Sequence, residues 1–211
     1  MVQLTSDEII ELEIILNNIR NELKISKLNE KLGLTEKIAG FLGEGLALVE
    51  LYNYVGTNAE YNWYGGRKKD YDIEIKKNGV SKTFQIKSSK ENYAFSIGFK
   101  KLRNSSSLKQ GLRNGENKPF FREIKRINDE KKVDYYIFSR VKLNDCVFYV
   151  LTSDELFDVI EFASKKYIST RKNKSTNNFG IKKGGIRMIL KPNDVGEKLE
   201  SLKKLEKIQF K

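Results

Sequence analysis

Residues 71–87 read YDIEIKKNGVSKTFQIK, and this stretch predicts a β-hairpin. Apolar and polar residues alternate on both sides of Asn78-Gly79, a dipeptide typical of two-residue hairpin turns. We expect strands at 71–75 and 82–87. Because successive side chains of a strand point to opposite faces, one face of the hairpin is expected to carry its polar groups: Asp72, Glu74, Gln85 and Lys87.

A buried helix is predicted upstream of the hairpin, over residues 36–53, with Thr35 as its N-cap. It is apolar on nearly all sides, which is typical of a helix inside a core. Glu44 interrupts the apolar sequence, and burying its carboxylate is costly unless it meets a cation, a metal ion or hydrogen-bond donors. Gly43 and Gly45 would let the backbone approach a strand or ligand closely. A helix-end acid paired with a lysine is the alternative.

The other elements alternate between helices and strands. Ser6 is expected to cap a first helix that ends near Leu32-Gly33, and Trp63 is expected in a loop before the hairpin. The later segments comprise a helix at 121–129, strands at 133–141 and 147–152, a helix from Ser153, a strand at 186–190 and an amphipathic helix after Pro192. This order predicts an α/β fold with a mixed central sheet flanked by helices.

A single domain is expected for the 211 residues. Within it we distinguish an N-terminal helical extension (1–33), a core (34–152) and a C-terminal helix-strand-helix segment with a basic loop (153–211). The chain has 40 Lys and Arg against 28 Asp and Glu, a formal net charge of +12 at pH 7. This charge suits a polyanionic partner, since basic side chains displace counterions from phosphate backbones. A lysine-rich protein without such a partner is the alternative.

The chain contains no histidine, which excludes histidine triads, histidine metal sites and histidine-dependent nucleases. Catalysis would rest on other side chains, with a hard metal ion bound by oxygen ligands. Cys146 is the single cysteine, which excludes an intrachain disulfide and indicates a reducing compartment. Asp7 and Glu8 lie where a signal peptide carries basic residues, and no segment has a membrane span's apolar length. A cytoplasmic protein is expected.

Three motifs follow in order: Gly43-Glu44, Tyr71-Asp72-Ile73, and 84–89, which reads FQIKSS. This succession resembles the PD-(D/E)XK nuclease superfamily, whose fold is restriction-endonuclease-like. There a helix acid precedes a strand acid, followed on the next strand by an acid or glutamine, one apolar residue and a lysine. The motifs cover residues 35–89, and the strands at 134–138 and 148–152 are similar to the rest of that core. The resemblance implies a Mg²⁺-dependent endonuclease that cuts double-stranded DNA, similar to small type II restriction enzymes, and a homodimer.

The resemblance also assigns roles to these residues. Asp72 would be the central metal ligand, with the Ile86 carbonyl as a second oxygen, and Glu44 would ligate the metal through water or hold Lys87. Lys87 would position or deprotonate the attacking water and stabilise charge on the phosphate. Mg²⁺ is the expected cofactor, with Mn²⁺ as a substitute.

The sequence departs from the superfamily pattern at two positions. Gln85 stands where many members have an acid, which removes a negative charge from the metal site. No proline precedes Asp72. Glu74, two residues along the same face, is the expected compensating ligand. Asp70 shares this alternation, so the metal aspartate could instead lie one strand repeat earlier.

Two basic segments flank the predicted core. Residues 100–126 contain nine basic residues against two acids, and 168–186 contain no acid. Phosphate contacts need these charges, and base recognition uses Arg, Lys, Asn and Gln, although solvated loops are the alternative. The expected DNA-contacting residues are Lys100, Lys101, Arg103, Lys109, Arg113, Arg122, Arg171, Lys172, Lys174, Lys182 and Lys183.

Other functions fit the same residues. A Holliday-junction resolvase and a nuclease for modified DNA would use the same motifs. A catalytically silent DNA-binding protein on this fold is a further alternative, with Gln85 as the sign of lost activity. The positive charge also agrees with an RNA-processing enzyme. However, the sequence has few aromatic clusters of the kind that stack on the bases of single-stranded RNA.

Overall fold

The computed structural model describes residues 1–25, 36–65, 70–90, 95–99, 122–123, 125–126, 129–130, 133–142, 144–170, 179–182, 185–190 and 205–210. The helices are α1 (Ser6–Ile25), α2 (Glu36–Val55) and α3 (Ser153–Thr170), and a 3-10 turn lies at Leu205–Lys207. The strands are β1 (Val2–Leu4), β2 (Glu60–Trp63), β3 (Ile73–Lys77), β4 (Val80–Lys90), β5 (Phe95–Phe99), β6 (Tyr135–Val141), β7 (Cys146–Thr152), β8 (Phe179–Lys182) and β9 (Gly185–Leu190).

The chain forms two compact units. The first contains a six-stranded sheet in the order β1-β2-β3-β4-β6-β7, together with α1 and α2. The second contains α3 and a three-stranded sheet in the order β5-β9-β8. The predicted α/β class, with a mixed sheet flanked by helices, is confirmed. That both units belong to one domain stays a prediction.

The predicted hairpin is confirmed with shifted boundaries. Asn78 and Gly79 have φ values of 53° and 76°, the positive values that a two-residue turn with this sequence requires. β3 and β4 pair antiparallel on either side, and β4 continues in parallel pairing with β6. β3 begins at Ile73 instead of Tyr71. The loop prediction for Trp63 was wrong, because this residue ends β2, a strand between β1 and β3.

Helices α1 and α2 supply most of the helical side of the first unit's core. The buried residues include Ile9 and Leu16 of α1 and Leu42 of α2, which cluster with Ile73 and Phe84 of the hairpin. The prediction that α2 is buried is therefore confirmed. Burial of these side chains stabilises the layered arrangement by removing apolar surface from water.

The N-terminus of α1 has a capping residue that sequence reading placed one position late. Thr5 Oγ1 accepts a hydrogen bond from the Glu8 amide, and Glu8 Oε2 accepts one from the Thr5 amide at 2.8 Å. This reciprocal pair is a capping box, so Thr5 fills the role predicted for Ser6. The α1 terminus predicted near Leu32-Gly33 lies outside the described residues, as do the Thr35 cap and the start of the helix after Pro192.

Of the helix predicted at 121–129, the structure describes 122–123, 125–126 and 129, which are helical. Arg126 forms ion pairs with Glu123 and Glu130, one turn away on either side. Within the described part of the chain, no helix combines the length and the apolar content needed to cross a membrane.

Candidate active site

Strand β4 is longer than its neighbour β3, and this difference creates a partly open sheet edge. The β3–β4 register runs from Lys77 opposite Val80 to Ile73 opposite Phe84, whereas β4 continues to Lys90. The edge of β4 beyond Phe84 is therefore not paired with β3. We call this place the open end of the hairpin, and the region beside Asn78-Gly79 its turn end.

Asp72 lies at the open end, held by main-chain groups of both neighbouring strands. Its amide donates to the Phe84 carbonyl and its carbonyl accepts from the Tyr64 amide, both at 2.8 Å. Its Oδ2 accepts a hydrogen bond from the Ile86 amide at 2.7 Å. The side chain thus takes the place that a continuing β3 would have occupied beside β4.

A local bulge explains why Asp72 departs from the predicted alternation. Ile73 is the register partner of Phe84, and the Asp72 amide also donates to the Phe84 carbonyl. Two residues of one strand thus oppose one residue of the other, which defines a β-bulge. The prediction that Asp72 shares a regular strand face with Glu74 was wrong, because the regular strand begins only after Asp72.

Glu44 approaches the site from α2. Its Oε1 accepts a hydrogen bond from Trp63 Nε1 at 2.5 Å, across 19 residues of sequence. The Trp63 ring lies against Phe41, one helical turn before Glu44, with ring centroids 6.2 Å apart. The carboxylate is therefore held at a defined position on the side of α2 that meets β2.

Two glycines bring α2 close to its neighbours on either side of Glu44, and the predicted close approach to a strand is confirmed for Gly43. A Cβ on Gly43 would overlap Ser88 Oγ of β4 and lie 3.0 Å from Ser139 Cβ of β6. Ser139 is fully buried, and its Oγ donates to the Gly43 carbonyl at 3.0 Å. A Cβ on Gly45 would lie 2.9 Å from Leu16 of α1. These contacts fix the helix beside β4 at the residues that flank Glu44.

Lys87 is close enough to both acids to change their ionisation. Burial raises the pKa of Asp72, while the Ile86 amide and the Lys87 charge lower it. Burial also raises the pKa of Glu44, which the Trp63 hydrogen bond lowers, the Asp72 charge raises and the Lys87 charge lowers. The net direction is upward for both acids. Two half-buried carboxylates and one lysine therefore form a coupled group of charges.

The other predicted residues of β4 lie around this group. Ile86 is buried in the core with Phe84, and by alternation Gln85 and Lys87 point to the opposite face. The N–H and C=O groups of one strand residue point to the same neighbour, so the Ile86 carbonyl faces the edge that holds Asp72. Gln85 lies opposite Tyr136 of β6, and no hydrogen bond joins it to the acids in the described structure.

Glu74 lies two residues after Asp72, in the regularly paired part of β3 opposite Thr83. Its Oε2 accepts from the Tyr64 hydroxyl and its Oε1 from the Ser81 hydroxyl, each at 2.8 Å. Asp70 is exposed, and its charge contributes to raising the pKa of Tyr136. Neither acid is among the charges that shift the pKa of Glu44 or Asp72. The structure thus brings together Glu44, Asp72 and Lys87, and the role of Glu74 as a compensating ligand stays a prediction.

The donor set of this site fits Mg²⁺. Among the described residues no group of three or more acids or cysteines forms a metal cluster. Mg²⁺, however, is commonly bound through one or two carboxylates and keeps several waters. Asp72, Glu44 and the Ile86 carbonyl would supply hard oxygen ligands. A divalent cation between the acids would also offset the repulsion that raises the pKa of Glu44.

Most of the residues expected to contact DNA lie outside the described residues: Lys100, Lys101, Arg103, Lys109, Arg113, Arg171, Lys172, Lys174 and Lys183. Arg122 is exposed in a helical segment of the second unit. Lys182 ends β8, opposite Gly185 of β9. The DNA surface therefore stays a prediction.

Sequence reading missed Trp63, Tyr64 and Ser139 as contributors to this site. Trp63 is the single tryptophan of the chain, and its indole N–H can only donate a hydrogen bond. The alternation of Tyr61, Asn62 and Trp63 is the signal that would have indicated a short strand. The contacts of Tyr64 and Ser139 depend on the register of strand pairing, which no short sequence motif predicts.

Comparison with known proteins finds no matching family model, curated protein or solved structure.

Proposed function

We propose that this protein is a Mg²⁺-dependent endonuclease that hydrolyses phosphodiester bonds in duplex DNA. The observation that supports it best is the convergence of Glu44, Asp72 and Lys87 where β4 extends past β3. Two acids and a lysine on these elements, in this order, are the residues that the motif resemblance requires. The net charge of +12 suits a nucleic-acid substrate.

Each residue has a role that follows from its surroundings. Asp72 and Glu44 would hold the metal ion, with the Ile86 carbonyl beside them. When bound, Mg²⁺ supplies Lewis-acid polarisation of the phosphate and lowers the pKa of a water molecule. Lys87 would orient the attacking water and offset the negative charge that develops on the phosphate oxygens. Trp63 and the Ile86 amide hold the two carboxylates in place.

The test is cleavage of unmethylated duplex DNA of phage length, with and without Mg²⁺, by the native protein and by Lys87→Ala. We expect discrete fragments from the native protein with Mg²⁺ and intact DNA from Lys87→Ala. Gel-shift binding of both proteins, measured without Mg²⁺, is expected to be similar. Equal cleavage by the two proteins would contradict the assignment of Lys87.

One observation favours a second candidate, a catalytically silent DNA-binding protein. Gln85 is neutral, and Glu74, the expected substitute acid, is hydrogen-bonded to Tyr64 and Ser81. In that case Mg²⁺ would neither stabilise the protein nor support cleavage, while duplex DNA would still bind. Cleavage restricted to four-way junctions or methylated duplexes would instead indicate a structure-specific or modification-dependent nuclease.

A homodimer would place two such sites on the two strands of a duplex. Sedimentation velocity of the native protein, with and without DNA, tests this proposal: a monomer under both conditions would contradict it. Cytoplasmic location likewise stays a proposal, consistent with a single free cysteine.

A further inference from the structure

We propose that Trp63 is a positioning residue of this site, which fixes the Glu44 carboxylate so that one of its oxygens remains directed to the metal ion. This inference rests on the proposed function. It adds a residue that the motifs do not contain and that sequence reading placed in a loop. It also assigns a task to the single tryptophan of the chain.

The contact itself has the properties of an orienting bond. An indole N–H only donates, so the bond requires an acceptor on the partner side chain. Trp63 Nε1 donates to Oε1 of Glu44 at 2.5 Å. Bonds from neutral donors to carboxylates are shorter and stronger than those between neutral groups. Oε2 has no hydrogen-bond donor among the described residues, which leaves it for a metal ion or its water.

Trp63 is itself held on three sides. Its backbone lies between Val2 of β1 and Ile73 of β3 in the sheet register. Its ring contacts Phe41, three residues before Glu44 on α2, with an interplanar angle of 33°. A side chain supported in this way loses little entropy when it orients a partner, since its own freedom is already restricted. The indole therefore holds the Glu44 carboxylate at a fixed position relative to β2.

The adjacent residue holds the second acid. The Tyr64 amide donates to the Asp72 carbonyl at 2.8 Å. The end of β2 thus contacts Glu44 through the side chain of Trp63 and Asp72 through the main chain of Tyr64. This connection fixes the two acids relative to each other, although they belong to a helix and a strand start 28 residues apart in the chain (72 minus 44).

A purely structural tryptophan makes a different prediction. If Trp63 only fills space against Phe41, phenylalanine would serve nearly as well. If its N–H positions Glu44, Trp63→Phe keeps most of the packing but releases the carboxylate. Loss of a group that orients a metal ligand typically weakens metal affinity by roughly ten- to a hundredfold. The readout is therefore Mg²⁺ affinity, which needs no DNA and no turnover.

The experiment is a double-mutant cycle in Mg²⁺ affinity, measured by isothermal titration calorimetry. The proteins are native, Trp63→Phe, Glu44→Gln and the double variant, and thermal unfolding without metal checks that each is folded. We expect Trp63→Phe to weaken Mg²⁺ binding about tenfold or more. We also expect a double variant no weaker than Glu44→Gln, because Trp63 acts through Glu44.

Several outcomes would overturn the inference. If Trp63→Phe binds Mg²⁺ with native affinity while Glu44→Gln binds it weakly, Trp63 has only a packing role. The proposed function would then stand without this inference. Additive losses in the double variant would show that Trp63 does not act through Glu44. A native protein that binds no Mg²⁺ would overturn the proposed metal site together with this inference.

The single tryptophan offers a second measurement if Trp63→Phe fails to fold. Fluorescence excited at the tryptophan band reports only on Trp63. We expect Mg²⁺ to change the native emission along a saturable curve whose midpoint matches the calorimetric affinity. We expect Glu44→Gln, which keeps an acceptor oxygen, to shift that midpoint to higher Mg²⁺ concentration. If the protein binds Mg²⁺ but the fluorescence of Trp63 does not change with Mg²⁺ concentration, the inference is contradicted.

Discussion

The regularly paired part of the β3–β4 hairpin and its open end hold their acids differently. In the paired part, Glu74 lies opposite Thr83 and accepts a hydroxyl hydrogen bond on each carboxylate oxygen, from Tyr64 and from Ser81. At the open end, Asp72 and Glu44 each accept one described hydrogen bond, and burial raises the pKa of both. Half-buried acids with raised pKa values beside a lysine are typical of functional sites, which supports the proposed metal site at the open end.

The largest expected effect separates Asp72 at the open end from Glu74 in the paired part of the hairpin. Asp72→Asn preserves the size of the side chain and can still accept from the Ile86 amide, but it removes the charge proposed to bind Mg²⁺. We expect cleavage to fall by about a thousandfold or more, within the range for lost catalytic groups. Glu74→Gln, in the paired part of β3, is expected to cleave at nearly the native rate. Single-turnover cleavage of duplex DNA measures both, and equal losses would remove the distinction between Asp72 and Glu74.

Glycine substitutions in α2 test how closely the helix must approach the open end. Gly43→Ala would overlap Ser88, so we expect a loss of about 1–3 kcal/mol in the free energy of unfolding and weaker Mg²⁺ binding. Gly40→Ala is the matched control, because its Cβ would meet nothing within 4 Å. Alanine there should stabilise the helix by about 0.5–1 kcal/mol. Urea unfolding gives both changes in the free energy of unfolding. Changes of the same sign in the two variants would contradict the close approach of α2 at Gly43.

The raised pKa values predict how the metal-free protein responds to pH. The folded state holds the protons of Asp72 and Glu44 more tightly than the unfolded chain, whose pKa values are near 3.8 and 4.5. The contribution of these acids to stability is therefore full at lower pH. It is lost as the pH rises from the unfolded values through the raised folded ones.

Stability is lost as the pH rises because Asp72 and Glu44 ionise in the folded state. Removing the Asp72 charge should abolish the part of this loss that Asp72 causes. We expect Asp72→Asn to unfold at a higher temperature than the metal-free native protein at pH 7. The difference should shrink as the pH is lowered below the raised pKa. Glu74→Gln serves as the control, since the carboxylate of Glu74 accepts a hydroxyl hydrogen bond on each oxygen. Thermal unfolding from pH 4 to pH 8 measures this, and a native protein more stable than Asp72→Asn throughout would contradict it.

The smallest expected effect lies at the turn end. Gly79 has a φ of 76°, and a Cβ there would meet no atom within 4 Å. Gly79→Ala should therefore cost only the conformational penalty of a left-handed residue, about 1 kcal/mol of stability. Mg²⁺ affinity at the open end should stay unchanged. Denaturant unfolding combined with Mg²⁺ titration tests this, and a lost metal site would show that the two ends are not independent.

Local sequence patterns predicted the hairpin, its turn, the buried α2 and the α/β class, because each depends on alternation, turn chemistry or helical spacing over a few residues. The same patterns placed Glu44, Asp72 and Lys87 as candidates, and the structure brings these three together. Glu74 was expected to share a regular strand face with Asp72, because alternation was extended through Asp72. The bulge opposite Phe84 interrupts that alternation, and its formation depends on pairing with two neighbouring strands.

Trp63 shows that local sequence patterns can also miss a residue of the site. Its strand is only four residues long, and its pairing with β1 and β3 joins segments that are distant in sequence. A contact such as that between Trp63 and Glu44 depends on how α2 lies over the sheet, which Gly43 permits but does not determine. Short motifs thus identify the residue types of a site, whereas the residues that position them follow from tertiary packing.

The most direct test of the account is the binding of Mg²⁺ to the native protein and to Asp72→Asn in the absence of DNA, measured by isothermal titration calorimetry. We expect saturable binding to the native protein and none, or binding weakened by at least about tenfold, in the variant. Native protein that binds no Mg²⁺, or a variant that binds it with native affinity, would contradict the assignment of the open end as a metal site.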